Sequence, residues 1–189
     1  MPNSYITKNA LASSLKKLML VEPFEKINVT EICDDCNMSR KSFYYHFKDK
    51  YDLVNWIFKN EFLDKVHLKT GDYTFENHWD FLLFACQYFY DNRKFYKKVL
   101  QIKGQNSFSD YLKHCMHPLL KNRLSYLFKD ENVDEFTVDL FADFTLCAIE
   151  HWLLNEKDIP PEAFIHKLRT IICNSTVAVY NELDKLSHK

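Results

Sequence analysis

Residues 27–58 read INVTEICDDCNMSRKSFYYHFKDKYDLVNWIF, and the placing of polar and apolar side chains in this stretch decides the fold. Asn28 stands just before Val29, with Glu31 three places on, so that a cap side chain and a returning carboxylate can satisfy each other's free amides. This spacing predicts a helix over about residues 29–36. At CNMS, residues 36–39, the chain must turn with neither proline nor glycine, and Asn37 is the residue there best able to take a left-handed backbone. Ser39 can then cap a helix over about residues 40–46, and Asp49 a further one that starts at Lys50.

Upstream, Ile6, Ala10, Leu11, Leu15, Leu18 and Met19 recur at spacings of three and four, which predicts an amphipathic helix over residues 5–21. Two short helices joined by a tight turn, with a longer helix behind them, make a three-helix helix-turn-helix unit. In its last helix Phe43 and Phe47 lie four apart and turn inward with Ile32. That leaves Arg40, Lys41, Ser42, Tyr44, Tyr45 and His46 crowding the outer surface. Arg and Lys suit guanine edges and phosphates, hydroxyls suit phosphate oxygens, and aromatic faces suit sugars and thymine methyls. The amino end of the next helix, with Lys50 in its first turn, suits a phosphate.

The rest of the sequence agrees with an all-α fold. Only Gly71 and Gly104 are glycines, which leaves little provision for hairpins or glycine-rich phosphate loops. Net charge is +2 over residues 1–60 and −3 over the remainder, too even to imply a nucleic-acid partner by itself, so the placing of charge has to decide. The amino terminus lacks a signal peptide's pattern, and no apolar run approaches the roughly 18 residues that span a bilayer. The expectation is a cytoplasmic protein with reduced cysteines and no membrane partner. Asp34 and Asp35 are adjacent and splay apart, and no nucleophile, base or phosphate loop forms a catalytic set, so the chain is expected not to be an enzyme. A helical protein-interaction module would account for the carboxy-terminal two thirds, but it gives no reason for the first fifty residues.

Residues 27–58 resemble the DNA-binding segment of the TetR/AcrR family of bacterial transcriptional regulators. Ile32, Met38, Ser39, Ser42, Phe43, Tyr44, His46, Phe47, Lys50 and Leu53 fall in register with its pattern without a gap. Cys33 and Cys36 stand where that family usually has Ala, Asn37 where it has Gly, and Asn28 where it has Thr. The resemblance implies a helix-turn-helix DNA-binding domain over residues 1–50 and a connecting helix over about 50–68. A regulatory and dimerisation domain would occupy residues 51–189. It also implies that Arg40, Lys41 and Ser42 read bases or adjoining backbone, that Tyr44, Tyr45, His46 and Lys50 hold phosphates, and that Thr30 touches backbone or a base. FYYHFKDKYDLVNWIF and HWLLNEKDIPPEAF are similar to a subgroup that includes activators of dihydroxyacetone-kinase operons and zinc-responsive regulators. Repression is the usual behaviour of the family, and activation with a partner protein is the alternative for this subgroup.

Further helices are predicted at about 75–92, 94–102, 108–128, 133–155 and 161–186. Residues 136–154 are apolar nearly all round, with Leu140, Phe141, Phe144, Ala148 and Trp152 on one side and Val138, Leu146, Ile149 and Leu153 on others. Such a helix is either wholly buried in one subunit or half of a dimer seam with the last helix. The resemblance favours a homodimer there, with two recognition helices about 34 to 36 Å apart on a palindromic double-stranded DNA operator. The aromatic run at residues 78–100 suits either a core or the lining of a pocket for a small-molecule effector. Zinc is the other candidate effector. His114 and His117 are three apart, Cys147 and His151 four apart, and both spacings can chelate a metal.

Overall fold

Asn28 and Ser39 cap the two short helices as their spacing requires. The Asn28 side chain accepts from Glu31 N at 3.1 Å while Glu31 returns to Asn28 N at 2.8 Å, and Ser39 Oγ accepts from Ser42 N at 3.0 Å. The computed structural model describes residues 2–64, 78–102, 104, 107–129, 132–155 and 158–187. Among them there are nine helices and no strand: α1 (Pro2–Val21), α2 (Val29–Asp35), α3 (Arg40–His46), α4 (Lys50–Phe58), α5 (His78–Asp91), α6 (Arg93–Val99), α7 (Phe108–Phe128), α8 (Glu135–Leu154) and α9 (Pro161–Ser187). The chain runs on from α4 through a π turn, Lys59–Leu63. The predicted continuation of α4 to residue 68, Gly71 and the predicted start of α5 at residue 75 lie outside the described residues.

Helices α1 to α3 hold together through a small apolar centre. Leu11, Leu15 and Met19 from α1 meet Ile32 and Cys33 from α2 and Phe43 from α3, all at most 2% exposed, and Phe47 closes one side. Fully burying one such side chain contributes about 1.5 to 3 kcal/mol, so a few of them fix α2 and α3, too short to persist alone, against α1. Ser14 adds a directional tie, donating to the Ile32 carbonyl at 2.8 Å. The turn between α2 and α3 closes with Asn37 at φ +54°, and Met38 N donates to the Cys33 carbonyl at 2.9 Å. The CDDC pair is part of this packing: Cys33 is buried, and Cys36 donates its thiol to the Ile32 carbonyl at 3.2 Å.

The body is built on aromatic contacts. Phe58 at the end of α4 stacks on Phe89 with ring centres 5.8 Å apart and meets Phe108 edge-on at 5.3 Å, while Phe89 meets Tyr96 at 4.9 Å. The aromatic run at residues 78–100 thus supplies both core and cavity. Phe89, Phe95 and Tyr96 are buried, while Phe81, Leu82, Ala85 and Phe89 line a space of about 560 Å³ between α4, the π turn, α5, α7 and α8.

Helix α8 is neither wholly buried nor a uniform seam. Val138, Ala142, Ile149, Trp152 and Leu153 are buried, whereas Phe136, Leu140, Phe141 and Phe144 are 76, 56, 40 and 48% exposed. Trp152 departs from the side expected for it: its ring stacks on Phe164 of α9 at 4.6 Å and its Nε1 donates to the Ile159 carbonyl at 2.8 Å. An indole needs a partner for its N–H once buried, and the α8–α9 loop supplies one.

Candidate nucleic-acid interface

Phe43 is fully buried, and with α3 anchored from behind the residues between its apolar contacts are turned out. Arg40, Lys41, Tyr44 and Tyr45 are exposed, Ser42 and His46 half-buried, and Thr30 on α2 exposed. Tyr44 and Tyr45 are 52 and 83% exposed, so neither ring belongs to the core. The Arg40 guanidinium lies 6.0 Å from the centre of the Tyr44 ring, and Tyr45 meets His46 edge-on at 4.9 Å. A cation on the first turn of α3, followed by two phenols and an imidazole on its second, offers donors along one short helix. No described acidic side chain pairs with Arg40 or Lys41. The seven sequence-predicted residues Thr30, Arg40, Lys41, Ser42, Tyr44, Tyr45 and His46 therefore come together on the α2–α3 unit.

Lys50 stands apart from this group. Its ammonium donates to the carbonyls of Phe24 and Ile27, both at 2.7 Å, and of Glu25 at 3.2 Å, and it lies 4.4 Å over the Phe24 ring. An ammonium has three N–H donors, and all three are occupied. Lys50 is turned into the loop between α1 and α2, whose carbonyls have no helical partner, and burial holds its pKa below the ordinary lysine value. The amino end of α4 itself is capped by Asp49, which accepts from Tyr51 N at 2.9 Å and Asp52 N at 2.8 Å.

Lys8 belongs to the same face and carries no sequence signal. It lies 5.9 Å from the Phe47 ring centre and 5.8 Å from that of Trp56, and together with burial, the larger cause, its charge lowers the pKa of His46. Only the packing of α1 against α3 and α4 brings it there.

The four metal candidates do not form a donor set. His117 pairs with Glu135 at 3.1 Å, His114, Cys147 and His151 are exposed, and among the described residues no group of three or more His, Cys, Asp or Glu is placed to hold a metal ion. The spacings within α7 and within α8 were suitable, but the two helices pack so that Lys113 and Lys121 of α7 face the acidic groups of α8. Lys113 pairs with Asp143 at 2.8 Å and Asp139 at 3.5 Å, and Lys121 pairs with Glu135.

Residues 14–57 match the family described as bacterial regulatory proteins, tetR family, and residues 76–174 match that described as transcriptional regulator C-terminal region. The HTH-type dhaKLM operon transcriptional activator DhaS of Lactococcus lactis subsp. lactis (strain IL1403) is 30% identical over 102 residues, covering 54% of this chain and 53% of that protein. The matched stretch thus spans about half the length of that relative. Two solved structures share the fold. The dihydroxyacetone kinase operon activator DhaS superposes with a TM-score of 0.59 at 22% identity, covering 92% of this chain and 96% of that one. A TetR transcriptional regulator from Streptococcus agalactiae 2603V superposes with a TM-score of 0.60 at 18% identity, covering 90% and 96%. Among the described residues no helix is long and apolar enough to cross a membrane.

Proposed function

The chain belongs to the TetR family of bacterial transcriptional regulators, and from that premise we propose that it acts as a homodimer whose two α3 helices read the halves of a palindromic operator. Proteins of this family are transcription factors rather than enzymes, bind DNA and usually act as dimers. The observation that carries the reading here is the α3 surface: Arg40, Lys41, Tyr44 and Tyr45 turned out over a fully buried Phe43. Arg40, Lys41 and Ser42 are the base-reading candidates, and Tyr44, Tyr45, His46 and Thr30 the backbone contacts. Acting on chromosomal DNA places the protein in the cytoplasm.

Dimerisation is supported by Phe136, Leu140 and Phe144 on α8 and by Ile171 and Val177 on α9, all exposed although large and apolar. A row of this kind is a liability in a free monomer and an asset in a four-helix seam. The cavity in the body supports a small-molecule effector over zinc, for which the described residues offer no donor set. The name DhaS, borne by the similar activator and by the similar solved structure, supports activation as the sign of regulation.

Selection of bound genomic fragments tests the reading directly. The selected sites should be palindromic, and log affinity should fall against log salt with a slope of about −0.9 per phosphate neutralised. A chain that enriches no sequence refutes it. Sedimentation of Phe144→Glu tests the seam: the variant should be monomeric where the natural protein is dimeric.

A further inference from the structure

We infer that the cavity in the body takes a ligand with an apolar trunk and a single anionic head, and that Arg123 on α7 receives the head. This rests on the effector reading above and names the chemistry of the effector. The trunk end is defined by Phe62, Phe81 and Phe89 on one wall and by Leu112, Met116 and Ile149 on the other. A space of about 560 Å³ lies within the range of roughly 300 to 1,000 Å³ common to small-molecule sites.

Arg123 is the one charged side chain among the described residues that line this space. Its Nε is buried and has no hydrogen-bond partner among the described residues, and none of their carboxylates pairs with its guanidinium. The guanidinium lies 5.4 Å from the centre of the Tyr126 ring, a contact that steadies the group without accepting its N–H bonds. Among the described residues the neighbouring wall supplies no counter-charge. The Thr145 hydroxyl donates to the Phe141 carbonyl at 2.8 Å, and burial pushes the Cys115 thiol up, so that it stays neutral.

A buried guanidinium Nε without an acceptor is unfavourable, and the group that relieves it best, while also reaching a terminal N–H of the same half-buried side chain, is one with two coplanar oxygens and a negative charge. A carboxylate fits that description. An alcohol would accept one bond and leave the charge uncompensated, and an ammonium would be repelled. At the buried Nε the bond would form away from water, which strengthens it. Ligands with a second charge are disfavoured, since the described side chains of the far wall are apolar.

Titration calorimetry on the full chain with decanoate, 1-decanol and decylammonium tests the assignment. Decanoate should bind at least tenfold more tightly than decylammonium. Arg123→Met should weaken decanoate at least tenfold and leave 1-decanol within threefold, and Arg123→Lys should recover part of the loss. Ala85→Trp, which fills the space from α5, should remove decanoate and 1-decanol together, and it keeps the test decisive should the Arg123 variants not fold. No binding of any probe, equal binding of decanoate and decylammonium, or unchanged decanoate affinity in Arg123→Met overturns the inference. Operator binding in the same preparations separates the two readings: a chain that binds its DNA but ignores decanoate refutes the anion site alone, and one that binds decanoate but no DNA refutes the regulator.

Discussion

Lys16 on α1 and Glu61 in the π turn after α4 meet at 2.5 Å, so an ion pair joins the DNA-binding helices to the body. Glu61 also accepts from the Tyr88 hydroxyl at 3.3 Å, and Tyr88 shares a hydrogen bond of 2.7 Å with the Tyr96 hydroxyl. Burial raises the pKa of both phenols, so they stay neutral at ordinary pH and act only as hydrogen-bonding groups. With the two charged side chains 26 and 29% exposed, the pair is neither a free surface contact nor a sealed one. Glu61→Gln should therefore destabilise by about 1 kcal/mol, and a double-mutant cycle with Lys16→Met, followed by urea unfolding, should assign most of that loss to the pair. Additive single effects would remove it as a tie between the two parts.

Lys50→Met should cost about 2 kcal/mol, because three carbonyls of the α1–α2 loop lose a charged donor at once. DNA affinity should fall alike for all sequences, and the salt slope should not change, since the ammonium faces the loop. Loss of about 0.9 unit of slope would show instead that Lys50 neutralises a phosphate.

Asn37 holds φ +54° at the turn between α2 and α3. A residue with a Cβ and no local hydrogen-bonding group is penalised there, so Asn37→Ala should destabilise by about 1 kcal/mol while Asn37→Gly should be neutral or stabilising. Thermal melts of the two variants against the natural protein measure the difference. Equal melts for both would place the turn's strain elsewhere.

His46 has a pKa below the ordinary 6.5, through burial first and the Lys8 charge second. As pH falls through 6.5 the unfolded chain therefore takes the proton before the folded one, and stability should decline until the lowered folded value is passed. A phosphate at His46 favours the protonated ring, so operator affinity should rise over the same window in which stability falls. His46→Gln should flatten both trends, measured by urea midpoints and by anisotropy titration between pH 7.5 and roughly pH 5.5, a window chosen around the reference value. Affinity that falls in parallel with stability would exclude a charged contact there.

The local elements were legible because caps and periodicity are written within a few residues of one another. Asn28 with Glu31, Ser39 and Asp49 mark three helix starts that the structure reproduces, and Asn37 marks the left-handed turn. What depended on packing between distant segments was not legible. Lys50 suits a phosphate by its place at a helix start, yet the loop at residues 24–27 claims its ammonium. His114 and His117 have a chelating spacing, yet only the docking of α7 on α8 shows that Glu135 occupies His117. Trp152 falls on the Leu140 and Phe144 side of α8 by periodicity, yet stacking with Phe164 buries it. Arg123 had no signal at all, since its significance lies in the absence of a nearby acid, which is a property of the folded cavity.

The exposed row on α8 has a chemical corollary. Cys147 follows Phe144 by three positions and is itself exposed. An alkylating reagent and a second subunit would compete for the same strip of helix, so the rate of thiol labelling should fall as protein concentration rises. Labelling of Cys147 would then gauge the proposed assembly through a thiol the chain already carries.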